Sequence, residues 1–156
     1  MASAVLTEGI LIIASIIVAT ALSGAAISKV GVFQSAFTSS TENQKQITLT
    51  KIKVIYATNS SSTKVNTWVK NIGVSPITTP DSVDVYFGKL GATQRIPYNT
   101  GTTPTWNYTS FKSVWEIKDT VQIDIFSDNN LQKNVSYMVK VTTPNGVSDE
   151  QIFSIS

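Results

Sequence analysis

The sequence predicts a mainly β protein: an N-terminal transmembrane α-helix followed by a β-sandwich of seven or eight strands. Three observations lead there. Twenty consecutive residues, Gly9 to Ser28, carry no charge. From about residue 47 onward, period-2 segments rich in Val, Ile, Tyr and Thr recur between turn residues. Between those segments no 3.6-residue period appears, so a sandwich with Greek-key connections is favoured over any mixed layering.

The helix comes first. Twenty residues at 1.5 Å each make about 30 Å, the thickness of a hydrocarbon core. A cleaved secretory signal is the rival reading, with Ile10 to Val18 as its apolar stretch and Ala19-Thr20-Ala21 as a small-x-small cleavage site. No Lys or Arg precedes Lys29, and Glu8 stands where the basic region of a signal belongs. The apolar run is also longer than such signals use, which favours a retained anchor. A buried helix of a soluble protein fails because the remaining chain reads as a self-sufficient β-domain. Charge bias alone, with Lys29 and Lys45 after the helix, would put the C-terminal side in the cytoplasm.

Within this helix Thr20, Gly24 and Ser28 recur every four residues, with Ala21 and Ala25 alongside. Such a stripe lets two helices approach closely in lipid, although small residues are also common in any membrane helix. Glu8 is costly in an apolar helix unless paired, or unless it sits at headgroup level. The expected divisions are a transmembrane helix over 1–34, a polar stalk over 35–45 and a sandwich over 46–156.

The strands follow in order. Ile47 to Tyr56 reads as a long or bulged strand, because its apolar phase switches between Leu49 and Ile52. Val65 to Val69, Val83 to Phe87, Val114 to Ile117 and Val121 to Ile125 come next. Val135, Tyr137, Val139 and Val141 form the clearest inward-facing set. "TPNG" at 143 to 146 is a tight turn, and Gln151 to Ile155 is the returning strand. The longest irregular stretch runs from Arg95 to Pro104. Beside it, Tyr98, Trp106 and Tyr108 form a candidate aromatic platform for a sugar or a partner, unless Trp106 and Tyr108 open a core strand.

Composition narrows the function classes. With no cysteine and no histidine, disulfides, thiolate or imidazole metal sites and His-assisted nucleophiles are excluded. Ten acidic residues are a sparse supply for catalysis, so no enzyme, no cofactor, no metal and no small-molecule substrate are expected. The net charge of +2 is spread without a basic run, which argues against nucleic acid. Serine and threonine make up about a quarter of the chain and carry most of its solubility. Sequons at Asn59, Asn107 and Asn134 permit glycosylation, at a number that chance alone would supply.

Three stretches resemble a known family. "ASAVLTEGILIIASIIVATALSGA" (2 to 25) is similar to the N-terminal segments of archaeal flagellar (archaellum) accessory proteins and their archaellin and type IV pilin relatives. "WVKNIGVSPITTPDSVDVYFG" (68 to 88) resembles the strand, Asn-x-Gly turn and strand of their immunoglobulin-like domain. "VSYMVKVTTPNG" (135 to 146) resembles the penultimate strand and hairpin, with Tyr137 where a tyrosine anchors that strand. The match is to FlaG-like (ArlG) stator proteins, beside their sister family FlaF (ArlF). The resemblance implies a membrane-anchored, static part of the motor with its β-domain outside the cell membrane. It also implies self-assembly, a FlaF-like partner and a link to the S-layer. Archaellins and pilins carry a basic residue and glycine ahead of the apolar run, where a peptidase cuts. This chain has none, so an accessory protein that keeps its N-terminus is expected. A filament subunit and a surface carbohydrate-binding module are the alternatives.

Overall fold

The computed structural model describes residues 2–110 and 113–155. Helix α1 (Ala2–Leu49) is followed by β1 (Ile52–Asn59), β2 (Lys64–Asn71), a short 3-10 turn (Pro80–Ser82), β3 (Asp84–Lys89), β4 (Ala92–Ile96), β5 (Thr105–Tyr108), β6 (Thr120–Phe126), β7 (Ser136–Thr142) and β8 (Ser148–Ser154). The chain divides into two units, 1–43 and 44–156.

In the first unit several helix hydroxyls bond to a backbone carbonyl one turn earlier. Thr7 donates to the Ser3 carbonyl at 2.8 Å, Thr20 to Ile16 at 2.9 Å and Ser23 to Ala19 at 2.8 Å, and Ser15 bonds back to Leu11 in the same way. Each of these four hydroxyls is thereby satisfied inside its own helix, which is what an apolar surrounding demands. The window that qualifies α1 as long and apolar enough to cross a membrane has a mean hydropathy of 2.5.

The second unit is a sandwich of two four-stranded antiparallel sheets, ordered β1-β2-β6-β5 and β4-β3-β7-β8. This is the strand order of an immunoglobulin-like fold that carries one extra edge strand on its second sheet. Alternation builds the core: Val65, Thr67 and Val69 point inward from β2, while Val139 and Val141 do so from β7. Trp106 and Trp115, each 1% exposed, fill the largest volumes. Tyr137 stacks on Phe87 at 5.6 Å, and its hydroxyl accepts the Gln132 N–H at 2.8 Å. That bond ties the start of β7 to the loop before it, as the tyrosine expected there should.

The chain enters the sandwich through a tightly bonded junction. The Leu49 carbonyl accepts the Val74 N–H at 2.9 Å, and the Lys51 carbonyl accepts the Ile72 N–H at 2.8 Å. Asn145, in the predicted tight turn, donates to the Gln46 carbonyl at 3.1 Å and the Thr50 hydroxyl at 2.7 Å. Asn71 is fully buried. Its amide donates to Ser75 at 2.9 Å, and its oxygen accepts the Gly73 N–H at 3.0 Å, forming the predicted Asn-x-Gly turn.

Three strand expectations change. Ile47 to Leu49 finish the helix, so the phase switch before Ile52 marks a helix-to-strand boundary; the bulge lies in β1 between Val54 and Tyr56. Val114 to Ile117 forms no strand, only a single bridge from Trp115 to Ile77. Ala92 to Ile96, expected in part as loop, is an edge strand with Arg95 bonded to Asp84.

Two substitutions test the packing. A Cβ at Gly73 would lie 2.6 Å from both Leu49 O and Lys51 N, so Gly73→Ala should destabilise the sandwich by about 1–3 kcal/mol in denaturant unfolding. Thr67 is fully buried, and its hydroxyl has no hydrogen-bond partner among the described residues. Thr67→Val should therefore raise stability by about 1 kcal/mol; a loss of stability would mean the hydroxyl is satisfied by water.

Candidate interaction sites

The three aromatic residues proposed as a platform do come together. Tyr98 lies 4.6 Å from Trp106 and 6.2 Å from Tyr108 between ring centres, and the Trp106 and Tyr108 rings meet edge-on at 5.1 Å. The Trp106 N–H donates to Pro97, and the Asn99 N–H donates to Trp106, so the end of β4 is bonded to β5. Trp106, however, is a core residue that no partner can reach. Tyr108 is half-buried and donates its hydroxyl to the Pro80 carbonyl at 2.9 Å. Burial, with Tyr98 and Asp81 adding to it, pushes its pKa well above the usual 10, so it stays a neutral donor. The platform thus reduces to Tyr98, 37% exposed beside a shallow concavity bounded by Pro80, Asp81 and Ser113. A second cavity, of about 290 Å³, opens between Phe87, Ile96 and the 127–132 loop. Trp106 points inward with Ile125, its register partner on β6, as the core-strand alternative expects.

The sandwich edges are managed by specific groups. On one side Asp149 of β8 accepts the Val54 N–H of β1 at 2.8 Å and pairs with Lys53 at 3.2 Å. That carboxylate satisfies an outward N–H beside the bulge and blunts the β1 edge. On the outer face of β6, Asp124 pairs with Lys64 at 2.7 Å and accepts from Gln122 at 2.9 Å. Burial alone would raise its pKa; the bonds from Lys64, Gln122 and Thr109 outweigh that and hold it below 3.8.

Of the sequons, Asn134 is exposed, in a turn with φ of 57°, whereas Asn59 and Asn107 are half-buried on strands β1 and β5. The helix stripe of Thr20, Ala21, Gly24, Ala25 and Ser28 lies exposed on α1, and a Cβ at Gly24 would meet nothing within 4 Å. Glu8 is likewise exposed on the helix.

Residues 2–153 match the family model of the archaeal-type flagellins. The chain belongs to that family and is FlaG-like. Its structure is similar to the archaellum periplasmic stator protein FlaG of Sulfolobus acidocaldarius, with 34% identity and a TM-score of 0.64 over 67% of this chain and 100% of that one. The FlaF–FlaG periplasmic stator complex of the same organism matches at 34% identity and a TM-score of 0.63, over 67% and 90% of the two chains. The archaeal flagellum of Methanospirillum hungatei shares the fold at 14% identity, with a TM-score of 0.73 over 97% of this chain and 93% of that one. Among curated protein sequences no relative matches the chain.

Trp106→Ala should cost about 3–5 kcal/mol, whereas Tyr98→Ala should cost about 1 kcal/mol or less in the same unfolding assay. Asp124 adds stability that is complete above the ordinary carboxylate value and is lost as pH falls through its lower folded value. Unfolding of the Asp124→Asn variant should accordingly show a flatter acid limb below about pH 4 than the parent.

Proposed function

We propose that the protein is a non-catalytic stator component of the archaellum motor. In this reading α1 anchors it in the membrane, with 1–34 spanning, 35–45 as stalk and 46–156 as the sandwich outside the membrane. There it assembles with copies of itself and with a FlaF-like sister protein, linking the motor to the S-layer. The observation that carries this is the 34% identity to FlaG across all of that chain, on a sandwich preceded by a helix of membrane-spanning length. Exposed Asn134 is the sequon best placed for a surface glycan.

The test is binding. Purified chain should co-elute with its FlaF-like sister protein and self-associate, and should be retained by S-layer sheets; failure of all three sinks the proposal. A filament subunit is the second reading, because the flagellum of Methanospirillum hungatei shares the fold over helix and sandwich together. That reading predicts cleavage ahead of the apolar run, so an intact mass that begins at Met1 or Ala2 in membrane-extracted protein would exclude it.

The helix stripe and Glu8 make a packing surface in this assembly. Gly24→Leu should reduce the oligomer seen in detergent while leaving the sandwich folded. An unchanged oligomer size would leave α1 as an anchor only.

A further inference from the structure

The outer face of the first sheet carries a charge pattern that the fold itself does not need. In the β1-β2 register, Lys53 stands directly opposite Lys70, and the next row joins Lys51 to Ile72 through a backbone bond of 2.8 Å. Their neighbours Ile52, Val54, Val69 and Asn71 are buried, so these lysines point away from the core. Lys118, also exposed, adjoins the same rows by donating its N–H to the Asn71 carbonyl at 2.9 Å. Like charges placed opposite each other on a sheet destabilise it. Asp149 offsets Lys53, but Lys51, Lys70 and Lys118 form no ion pair among the described residues, although Glu116 and Asp119 lie in the adjoining turn.

One row further on, the same face turns apolar. The β1 bulge turns both Ile55 and Tyr56 outward, at 52% and 57% exposed. Tyr56 packs on Trp68, its register partner, with ring centres 5.8 Å apart. Ile72 and Val74, at 41% and 67% exposed, border the lysine rows at the end where the chain leaves α1. Cationic, aromatic and aliphatic groups thus adjoin one another on this side of the sandwich.

We propose that this face of Lys51, Lys70, Lys118, Ile55, Tyr56 and Trp68 rests on the anionic headgroups of the membrane that holds α1. The inference depends on the anchored reading above. Charge complementarity selects an anionic surface, and the mixture selects lipid: Trp and Tyr settle at headgroup depth, and lysines beside them bind anionic lipid. Protein interfaces, by contrast, are depleted in lysine.

The experiment places the full chain in nanodiscs of pure phosphatidylcholine and of pure phosphatidylglycerol. Acetylation of Lys51 and Lys70 is followed by mass spectrometry, and quenching of Trp68 by headgroup-labelled lipid is read alongside; Trp106 and Trp115 are buried and stay silent. The proposal expects several-fold slower acetylation and stronger quenching in the anionic discs, both reversed at high salt. Lys51→Gln, Lys70→Gln and Lys118→Gln combined should weaken the contact by on the order of 100-fold, about fivefold for each lysine. Lys133→Gln, an exposed control, should change nothing. Equal labelling in the two discs overturns the proposal, and so does protection that appears only when the FlaF-like protein is added. Co-elution of the triple variant with that sister protein is measured in parallel, so loss of lipid contact and loss of the stator assembly are read separately.

Discussion

The junction at residues 46 to 51 is the constraint on which the sandwich depends. A helix that ends must find donors for its last carbonyls, and a sheet that begins must have its register set. Here both needs are met by the same loops. Val74 and Ile72 donate to Leu49 and Lys51, and Asn145 holds Gln46 and Thr50. Such close approach leaves no room for a side chain at position 73, which explains the glycine there. Asn71 then transmits the arrangement inward, since its buried amide fixes the 71–75 turn and its backbone bonds to Lys118 and Asp119. Register in β1, β2 and β6 follows from that point.

Once the register is fixed, the edges become the remaining problem. Each sheet has two free margins, and a long exposed margin invites pairing with another chain. Both sides are closed by local means. At β4 and β5 the Pro97–Trp106 bonds draw the two sheets together, and at β1 and β8 Asp149 reaches across to Val54. What stays available for assembly is therefore side-chain surface more than naked backbone. Contacts beyond the sandwich then fall to the faces of the sheets, and the face of Tyr56, Trp68 and the lysines is the one suited to lipid.

Much of this was legible in the residues, and the failures share a cause. The apolar run, the alternation of β2, β3, β6 and β7 and the Asn-Gly turn at 143–146 were readable because each rests on a local rule, while the Asn-x-Gly turn at 71–73 and the Tyr137 anchor came with the family resemblance. Ile47 to Leu49 were misplaced because a polar helix end and a strand start look alike when Thr and Ile alternate. Ala92 to Ile96 was missed because an edge strand needs few inward apolar residues, and Ile96 is its one buried member. Val114 to Ile117 has strand composition, yet Trp115 fills the core from an irregular segment held by Ile77 and Asp119. Trp106 illustrates the limit for site prediction: an aromatic next to a loop looks available until its facing strand is known.

Charge placement carries the argument furthest. Only 14% of residues are charged, and hydroxyls do most of the solvation, so a cluster of same-sign side chains is not a by-product of a crowded charged surface. Asp124 and Lys64 demonstrate that this sheet can pair its charges when pairing is the outcome, and Arg95 and Asp84 do the same on the other sheet. Lys53 stands opposite Lys70 on the row next to the Tyr56–Trp68 pair, and neither Lys70 nor Lys51 forms an ion pair among the described residues. A surface that retains its own repulsion is stabilised when an external anion meets it, and for an anchored chain the bilayer is the anion always within reach.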